Sequence, residues 1–549
     1  MTSKSAVSLH TIFENSIRTN ADRQAFSDYG ASGFTYQQIA EQILLIHRIF
    51  EGAHIHKEDK IALSGHNSSA WAISFLSILS YGAIVVPILP DFSTENIHHI
   101  VNHSDARLFF ASASVLGRID PEHLPNIQGI ISLVDMEVNF EAKNNLKAVV
   151  KNARQITLQQ EEVLNLMKFE AVDPDEVAVI SYTSGTSGFT KGVMLPYRSL
   201  WSNIIFAQEH MPLHAGDQIV SFLPLAHVFG LLFEFLFPFT MGCHVNFLTK
   251  VPSPAIVTKA FGEIKPHLIL SVPLVIEKIY KKRILPKIDK PMMKLLLKTP
   301  VIHGVIEQKV NKALTETFGE RFSEIVIGGA PLSEEVEQFF RKIGFRYTVG
   351  YGMTECGPLI SYSGHKQSRF RSAGKVVDRM QIRIEKEDAI NETGEVQVKG
   401  DNLMLGYYKN DADTKKAFTD DGWLRTGDLG YLDSKGYLYL KGRSKNMLLG
   451  PSGQNIYPEE LEARIMNLPC VAECVVKQQN GKLVAMIYPD REAMECDRLD
   501  FPDIENKMKE MLKHLNKELP AYEQISEVEI VDVEFVKTPK KNIKRYLYT

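Results

Sequence analysis

The residues with the clearest chemical potential lie in one short stretch, residues 181–192, between two apolar runs. Its twelve residues include three serines, three threonines, three glycines and one lysine, Lys191. Glycines leave backbone N–H groups open to close approach, hydroxyls add donors and the lysine adds a cation, which together suit a polyphosphate. The stretch is not a Walker A loop, because Gly192 rather than Ser or Thr follows the lysine. We interpret it as a phosphate-binding loop rather than a flexible linker, since a linker rarely separates two apolar runs.

Further polar motifs follow short apolar runs, where the ends of strands would present them. His227 closes the run Ser-Phe-Leu-Pro-Leu-Ala-His, although a lone histidine is more often a core residue than a catalytic one. The run Ile-Gly-Gly-Ala-Pro-Leu at 327–332 would let a flat ring approach the backbone. In residues 349–355, an exposed aromatic residue, Tyr351, offers a face for a base, and Glu355 offers a hard oxygen ligand for Mg²⁺.

A carboxylate and an arginine near the end of this region suit the sugar of a nucleotide. Asp428 ends the run Gly-Trp-Leu-Arg-Thr-Gly-Asp, and its carboxylate can accept from two ribose hydroxyls. Arg443 lies fifteen residues further along and could reach the same nucleotide. For either residue alone an ordinary ion pair is an equally good interpretation, so both alternatives stay open.

Composition and charge narrow the class of protein. The chain has 549 residues, of which 44% are hydrophobic and 23% charged, with a net charge of −4, so nothing in it points to nucleic acid. Its five cysteines show neither metal spacing nor a disulfide framework, and the N-terminus has no signal-peptide pattern, so we expect a cytoplasmic protein. Residues 278–298, the basic segment, hold eight Lys or Arg and one acidic residue. This segment would either rest on the inner face of an anionic membrane or form a solvated face; both interpretations stay open.

The order of apolar runs and helical patterns predicts the architecture. Short apolar runs alternate with helices up to about residue 350, including a helix over 69–81 and a turn and buried strand over 82–88. This alternation predicts an α/β fold with largely parallel sheets. Residues 8–52 are predicted to be helical on both sides of residues 34–36. Hairpin signals replace the alternation from about residue 374, and a smaller unit begins after residue 442.

Together the motifs resemble those of the adenylate-forming superfamily of acyl-CoA synthetases, luciferases and peptide-synthetase adenylation domains. They occur in the order and spacing of that family, the resemblance extends from about residue 34 to residue 547, and it is strongest to long-chain fatty acyl-CoA synthetases. It implies a large N-terminal adenylation domain, residues 1–443, with mostly parallel sheets, flanking helices and a small barrel-like region. It also implies a small, mobile α+β C-terminal domain, residues 444–549, with a hinge at Lys445.

The resemblance implies a two-step reaction with ATP, Mg²⁺ and CoA. A carboxylate is a poor electrophile, so a fatty acid of medium or long chain is first joined to AMP with release of pyrophosphate, and a thiolate then displaces AMP. Transfer to an acyl carrier protein, or arrest at acyl-AMP, remains as an alternative within the same class of enzyme.

Each motif acquires an implied role. Thr354 would lie beside the α-phosphate, Glu355 would bind Mg²⁺, and His227 would lie near the acyl carboxylate. The residues implied for the phosphates are Thr183, Ser184, Gly185, Thr186, Ser187, Gly188 and Lys191. Those implied for the adenosine are Gly329, Ala330, Pro331, Tyr351, Gly352, Met353, Asp428 and Arg443. Those implied for the CoA side, after rotation of the C-terminal domain, are Ser452, Gly453 and Gln454.

Three positions depart from the family pattern. Thr190 stands where the family usually has proline, and Tyr197 stands where it usually has histidine. Asn542 aligns with the lysine that bridges carboxylate and α-phosphate, and loss of such a cation would cost about 3–4 kcal/mol of transition-state stabilisation. Our hypothesis is reduced adenylation with partial rescue by the neighbouring Lys541. The non-enzymatic alternative is a nucleotide- or acyl-binding protein that lost catalysis through Asn542.

Overall fold

The computed structural model describes residues 8–142, 145–184, 190–281, 285–288, 300–385, 392–449, 455–491, 494–495, 500–538 and 543–548. The α-helices in these ranges are Leu9–Thr19, Tyr36–Gly52, Ser69–Tyr81, Thr94–His103, Ala113–Leu116, Leu146–Arg154, Gln160–Leu166, Tyr197–His210, Val228–Gly230, Phe237–Thr240, Pro254–Ile264, Pro273–Ile279, Leu285–Ile288, Pro300–Thr317, Glu334–Lys342, Asp411–Ala417, Pro458–Ile465 and Phe501–Asn516. A π-helix spans Leu231–Leu236, and short 3₁₀ turns span Pro121–His123, Thr354–Cys356, Ser444–Asn446, Ala521–Glu523 and Arg545–Leu547.

Most strands of the large domain belong to parallel or mixed sheets. An eight-stranded sheet has the spatial order Gly406–Tyr407, Thr190–Pro196, Val177–Ser184, Ile84–Ile88, Lys60–Ser64, Ala106–Ala111, Gly129–Ser132 and Val138–Glu141. A four-stranded sheet has the order Gln218–Ser221, His244–Phe247, Gln24–Asp28 and Gly33–Thr35. A three-stranded parallel sheet has the order Ile269–Ser271, Ile325–Ile327 and Tyr347–Val349.

The remaining sheets are mainly antiparallel. One joins Tyr351–Gly352, Leu359–Tyr362 and Lys375–Val376, and a second joins Met380–Ile384, Gly394–Gly400, Leu424–Leu432 and Leu438–Arg443. An isolated bridge between Lys375 and Tyr437 connects these two sheets, which occupy the place of the expected barrel-like region. The last strands are the pair Leu448–Leu449 and Asn455–Ile456, and the sheet of Val471–Gln479, Lys482–Pro489 and Ile525–Ile530.

Local sequence explains why the predicted helix and strand near residue 80 form. The side chain of Ser68 accepts a hydrogen bond from the backbone N–H of Trp71 and caps the helix Ser69–Tyr81. Gly82, with φ of +83°, ends that helix in the left-handed conformation that glycine adopts without strain. The following strand Ile84–Ile88 is buried along its whole length, as a central parallel strand should be. Both predictions are confirmed.

One local prediction is wrong. Residues 24–28, expected to be helical, form the strand Gln24–Asp28, which runs parallel to His244–Phe247 with Phe26 opposite Val245. This pairing joins residues more than two hundred positions apart, so local periodicity along residues 8–52 carries no sign of it.

Two main apolar cores divide the chain into a large N-terminal and a small C-terminal domain. The larger core draws on residues from Leu9 to Leu438, and the smaller one on residues from Ile456 to Ile525. Within the described ranges, no helix combines the length and hydropathy that crossing a bilayer requires.

Candidate active site

Two antiparallel strands, called here the hairpin, flank the centre of the Ser/Thr/Gly-rich stretch and include both of its ends. The strand Val177–Ser184 pairs antiparallel with Thr190–Pro196, and this register sets Thr183 opposite Lys191. The two strands therefore place a hydroxyl and a cation opposite each other near the end of the pair. The predicted residues Gly185, Thr186, Ser187 and Gly188, and the side chain of Ser184, lie outside the described part of the chain.

Lys191 contacts two side chains that the sequence analysis did not single out. Its Nζ lies 2.6 Å from Oδ2 of Asp413 and 5.0 Å from the centre of the Tyr407 ring. The Lys191 ammonium holds the pKa of the Asp413 carboxyl below its ordinary value. Both side chains of this ion pair are about one-third exposed, so the pair is accessible to a competing anion.

Tyr407 connects the hairpin to the predicted metal ligand. Its hydroxyl donates a hydrogen bond of 3.0 Å to Oε1 of Glu355. Burial, reinforced by the charge of Glu355, raises the pKa of Tyr407, so this phenol keeps its proton and acts as a donor. Tyr407 reaches this place because Gly406–Tyr407 pairs with the hairpin strand, with Tyr407 opposite Val193. Lys191 and Glu355, which belong to separate sequence motifs, therefore both contact the Tyr407 side chain.

The carboxylate of Glu355 has room for a cation. Its backbone lies in the turn Thr354–Cys356, and its carbonyl accepts a hydrogen bond of 2.8 Å from the backbone N–H of Met404. Among the described residues, Tyr407 alone hydrogen-bonds the carboxylate, through Oε1. Oε2 is thus available to a hard cation such as Mg²⁺, which prefers carboxylate oxygen. Thr354 precedes Glu355 in the same turn and shares its position beside the hairpin.

The predicted adenine residues gather at one edge of the three-stranded parallel sheet. Ile325–Ile327 and Tyr347–Val349 end in register, with Ile327 opposite Val349, so the residues after each strand emerge at the same edge. Gly329, Ala330 and Pro331 follow the first strand and are exposed, and Gly329 has a φ of +87°. The turn is therefore open to a flat ligand beside its backbone. Residues 351–353 follow the second strand, and the N–H of Gly350 directly before them donates to the carbonyl of Ile327 at 2.9 Å, which holds the ends of the two strands together.

The expectation that Tyr351 is exposed is wrong. The residue is only 9% exposed, and its hydroxyl donates a hydrogen bond of 2.6 Å to Oδ2 of Asp428. Glycine at 352 is required beside it, because a Cβ there would lie 2.2 Å from the carbonyl oxygen of Pro358. The Tyr351 hydroxyl thus holds the Asp428 carboxylate in one orientation.

Asp428 and Arg443 face each other across an antiparallel strand pair. Nε of Arg443 lies 2.7 Å from Oδ1 of Asp428, and the two residues are direct register partners. Burial raises the pKa of the Asp428 carboxyl, and the guanidinium opposes that shift. The Asp428 side chain is 10% exposed and that of Arg443 is 59% exposed. The two residues therefore form an ion pair, and the exposed arginine leaves that pair open to a ligand.

His227 begins the short helix Val228–Gly230 and is half-buried. Its backbone N–H donates a hydrogen bond of 3.0 Å to the carbonyl of Pro224. Two residues later, Phe229 packs so closely that a Cβ at Gly328 would lie 3.2 Å from its Cζ. The His227 segment therefore adjoins the turn at residues 328–331.

The departures from the family pattern have different local explanations. Tyr197 donates a hydrogen bond of 2.9 Å to the carbonyl of Leu79 and packs edge-on against His10, so it has a structural role. The hydroxyl of Thr190 is buried and has no hydrogen-bond partner among the described residues, so a bound phosphate could provide one. Lys541 and Asn542 lie outside the described residues.

The remaining predicted residues are only partly described. Lys445 is exposed in the turn Ser444–Asn446 between the two domains. Ser452, Gly453 and Gln454 fall outside the described residues. Of the basic segment, the described residues are 278–281 and 285–288, so its proposed contact with a membrane stays a prediction.

Comparison with protein families finds two matches along the chain. A model described as AMP-binding enzyme matches residues 13–408, and one described as AMP-binding enzyme C-terminal domain matches residues 446–548. The long-chain-fatty-acid–CoA ligase FadD15 of Mycobacterium bovis is 27% identical, over 89% of this chain and 85% of its own. The chloroplastic long-chain-fatty-acid–[acyl-carrier-protein] ligase AEE15 of Arabidopsis thaliana is 28% identical, over 93% of this chain and 80% of its own.

Solved structures share the fold along almost the whole chain. ATP-bound MatB from Rhodopseudomonas palustris matches with a TM-score of 0.76 and 19% identity over 98% of both chains. The o-succinylbenzoate CoA synthetase MenE of Bacillus subtilis, in complex with ATP and a magnesium ion, matches with a TM-score of 0.75 and 20% identity, over 97% of this chain and 98% of its own. Together with a family match over more than half of its length, these findings show that the chain belongs to the AMP-binding enzymes of the adenylate-forming superfamily and is similar to long-chain fatty acid–CoA ligases.

Proposed function

We propose that this protein joins a fatty acid of medium or long chain to AMP, with release of pyrophosphate, and then transfers the acyl group to the thiol of CoA. Membership of the family and the curated relatives support acyl activation by an acid–thiol ligase. The observation that carries the proposal is the group formed by Lys191, Tyr407 and Glu355 beside the Ser/Thr/Gly hairpin. This group combines a cation and a cation-binding carboxylate where a triphosphate would lie.

Enzymes of this family use ATP, Mg²⁺ and CoA. In this proposal Glu355 holds Mg²⁺ through its carboxylate, while Tyr407 keeps that carboxylate oriented. When bound, the cation neutralises charge on the phosphates and the leaving pyrophosphate. The terminal phosphates are held by the Lys191 ammonium, by the hydroxyls of Thr183, Ser184, Thr186 and Ser187, and by the backbone of Gly185 and Gly188.

The first step is an in-line displacement at the α-phosphorus. A carboxylate oxygen of the fatty acid attacks that phosphorus, and the bond to the leaving pyrophosphate breaks. Thr354 lies beside the α-phosphate, and His227 lies near the attacking carboxylate. Their contribution is orientation and charge stabilisation, because the reaction makes no covalent bond to the protein.

The nucleoside occupies the edge of the three-stranded sheet. The adenine ring lies along Gly329, Ala330 and Pro331 and beside Gly352 and Met353. Asp428 and Arg443 take the ribose. Oδ2 of Asp428 accepts a hydrogen bond from Tyr351, and Oδ1 forms an ion pair with Arg443. A carboxylate oxygen has a second lone pair that can accept from a ribose hydroxyl.

The second step reuses the site after the C-terminal domain rotates. The domain boundary lies between residues 443 and 444, and the rotation occurs about Lys445. Ser452, Gly453 and Gln454 then face the CoA side. The thiolate attacks the acyl carbonyl, and AMP leaves with the oxygen that came from the fatty acid.

Asn542 in place of the usual lysine weakens the first step in this proposal, and Lys541 partly compensates. The described residues on either side pair with each other: Lys537 forms an isolated bridge with Ile543, and the N–H of Lys544 donates to the carbonyl of Val536 at 2.8 Å. A Lys541→Ala variant should form acyl-AMP more slowly than the wild type. Unchanged formation of acyl-AMP would exclude this compensation.

Transfer to an acyl carrier protein is the second candidate function. One relative is named as a ligase for that acceptor, which favours testing it beside CoA. The apolar run 231–239 supports a hydrophobic acid as substrate, although Phe235 packs against Phe26 and Trp71 in the core. A cytoplasmic location, with the basic segment 278–298 on the inner membrane face, belongs to the same proposal.

The experiment is an assay of pyrophosphate release across acids from acetate to palmitate, without acceptor and with CoA or acyl carrier protein. We expect release to depend on a medium- or long-chain acid and thioester to form with CoA. Thioester with the carrier protein alone would identify the second candidate. ATP binding without pyrophosphate release for any acid would favour the non-enzymatic alternative.

A further inference from the structure

A buried carboxylate lies one short helix after His227 and has no part in the proposed chemistry. Glu234 is 0% exposed and stands in the π-helix Leu231–Leu236, whose other five residues are apolar. A carboxyl group in such surroundings is costly unless the protein hydrogen-bonds it. π-Helical turns are rare and are often found near functional sites.

Glu234 holds the start of the loop that leads to His227. Its Oε2 accepts hydrogen bonds of 2.9 Å from the backbone N–H groups of both Phe222 and Leu223, directly after the strand Gln218–Ser221. Its Oε1 is buried, and the side chain of Ser221 lies within hydrogen-bonding reach of the carboxyl group. Burial raises the pKa of Glu234 well above its ordinary value. Oε2 can accept these two hydrogen bonds whether the Glu234 carboxyl group is neutral or ionised.

Asn67 holds the same loop from another element. Its Oδ1 accepts from the N–H of Leu225 at 3.0 Å, and its Nδ2 donates to the carbonyl of Leu223 at 2.7 Å and to Oγ of Ser221 at 3.1 Å. Asn67 is itself 7% exposed. Two buried side chains thus satisfy the backbone of residues 222, 223 and 225.

The loop has little freedom to move once these bonds are made. A Cβ at Gly230 would lie 2.8 Å from the carbonyl oxygen of Pro224 and 3.0 Å from that of Leu223, so the helix after His227 sits directly on the loop. The N–H of His227 is bonded to that same Pro224 carbonyl at 3.0 Å. The position of the His227 imidazole therefore depends on Glu234 and Asn67, which hold the loop that leads to it.

We propose that Glu234 and Asn67 are positioning residues that hold loop 221–227 and thereby fix His227 relative to the acyl carboxylate. The inference rests on the proposed function, which places that carboxylate at His227. Its chemical basis is orientation, because displacement of a positioned group by about 1 Å can lower a rate by about 100-fold.

The test compares Glu234→Gln with Glu234→Leu in the full chain. The amide oxygen of Gln can accept both N–H groups, whereas Leu leaves them without an acceptor. The first readout is the rate at which diethyl pyrocarbonate modifies His227, followed by peptide mass spectrometry. The second is the set of kinetic constants for fatty acid and for ATP in pyrophosphate release.

A buried carboxyl group elsewhere provides the matched control. Glu324 is 2% exposed and accepts a hydrogen bond of 2.8 Å from the N–H of His365, but it precedes the strand Ile325–Ile327, at the edge away from the site. Glu324→Leu reproduces the loss of a buried acceptor without touching loop 221–227.

We expect Glu234→Leu to change the modification rate of His227 and to lower kcat/KM for fatty acid by about 10- to 100-fold, with KM for ATP nearly unchanged. Glu234→Gln should restore both, and Glu324→Leu should change neither. If Glu234→Leu does not fold, Asn67→Ala removes the other support of the same loop and carries the same expectation.

Unaltered His227 modification and kcat/KM in these variants would overturn the inference. Equal losses for fatty acid and ATP, matched by the Glu324→Leu control, would overturn it as well. If the wild type releases no pyrophosphate with any acid, the proposed function fails, and His227 modification still decides whether Glu234 positions that residue.

Discussion

Lys191 pairs with one anion in the protein, the carboxylate of Asp413, and would pair with a second, the triphosphate, in the proposed reaction. Asp413 holds its ammonium at 2.6 Å, while the ring of Tyr407 lies 5.0 Å away and carries the hydroxyl that orients Glu355. Exposed ion pairs contribute only about 0–1 kcal/mol, so a triphosphate with several charges should displace Asp413 readily. In the proposed reaction, this ion pair keeps Lys191 over the Tyr407 ring until the nucleotide binds.

Replacing Lys191 should affect catalysis far more than folding. We expect Lys191→Met to slow pyrophosphate release by about 100- to 1000-fold, the usual effect of removing one transition-state donor, with little change in Tm. Lys409→Met is a matched control, because Lys409 pairs with Asp105 at 2.7 Å and lies 5.3 Å from the Tyr408 ring. Steady-state assays and thermal melts of both variants provide the measurement. A similar loss of activity in the two variants would contradict the role of Lys191.

Removing the competing carboxylate should help the nucleotide bind. We expect Asp413→Asn to lower KM for ATP by about two- to fivefold with kcat unchanged, because about 1 kcal/mol of competition is lost. Asp411→Asn, in the same first turn of the helix Asp411–Ala417, is the control and should have no effect. The comparison is made at low ionic strength, where exposed ion pairs are strongest. An unchanged or raised KM for ATP in Asp413→Asn would show that the pair does not compete.

At the level of residues, local sequence predicts the polar motif at the end of a strand but not the distant residues that contact it. The hairpin residues and Glu355 are recognisable from composition and spacing, and the structure groups Lys191 with Glu355. Tyr407 and Asp413 are missed because their role depends on pairing with a strand more than two hundred positions earlier. A glycine followed by two tyrosines at 406–408 is the one signal that could have drawn attention to them.

Two helices of the large domain meet at a half-buried histidine. His47, in the helix Tyr36–Gly52, has its Nε2 3.0 Å from the carbonyl of Ser77 in the helix Ser69–Tyr81. Burial lowers the pKa of His47 from 6.5 to about 4. The pKa of His47 is lowered only in the folded state. The free energy of unfolding is therefore highest above pH 6.5 and falls as the pH approaches 4, because in that range only the unfolded chain binds the proton.

The histidine should make this helix pair sensitive to acid. Between pH 6.5 and 4 the wild type should lose about 2 kcal/mol more stability than His47→Gln, whose amide can still donate to Ser77. Denaturant unfolding at several pH values, followed by the signal of the large domain, measures the difference. Parallel pH profiles for the two proteins would contradict the assignment.

Elements defined by local signals are predicted well, and those defined by distant partners are not. The helix Ser69–Tyr81 has its own capping serine and terminal glycine, so its bounds follow from nearby residues. The strand Gln24–Asp28 exists because residue 245 lies beside it, and Tyr351 is buried because Asp428 arrives from a separate sheet. Both errors have the same physical source, which is pairing between segments far apart in sequence.

Polar contacts join the two domains within the described part of the chain. Lys441 pairs with Glu460 at 2.9 Å, and Oγ of Ser333 donates to Oδ1 of Asn467 at 2.6 Å. Such contacts are individually weak, which suits the proposed rotation of the small domain. Lys445, in the exposed turn Ser444–Asn446, is where the proposed rotation would be absorbed.

Restricting that turn should separate the two half-reactions. Proline fixes φ, so Lys445→Pro should slow one half-reaction by about tenfold or more while the other changes much less. Lys445→Ala removes the side chain without that restriction and is the control. Pyrophosphate release without CoA and thioester formation from preformed acyl-AMP are measured separately. Equal losses in both half-reactions would contradict a hinge at Lys445.

The most direct test of the proposed reaction traces the oxygen atoms of the fatty acid. The protein is given fatty acid labelled with ¹⁸O in its carboxylate, together with ATP, Mg²⁺ and CoA, and the products are examined by mass spectrometry. If the acid is joined to AMP before the thiolate attacks, one ¹⁸O atom must leave in AMP. Thioester formation with unlabelled AMP, or with the label in pyrophosphate or inorganic phosphate, would contradict that order of steps.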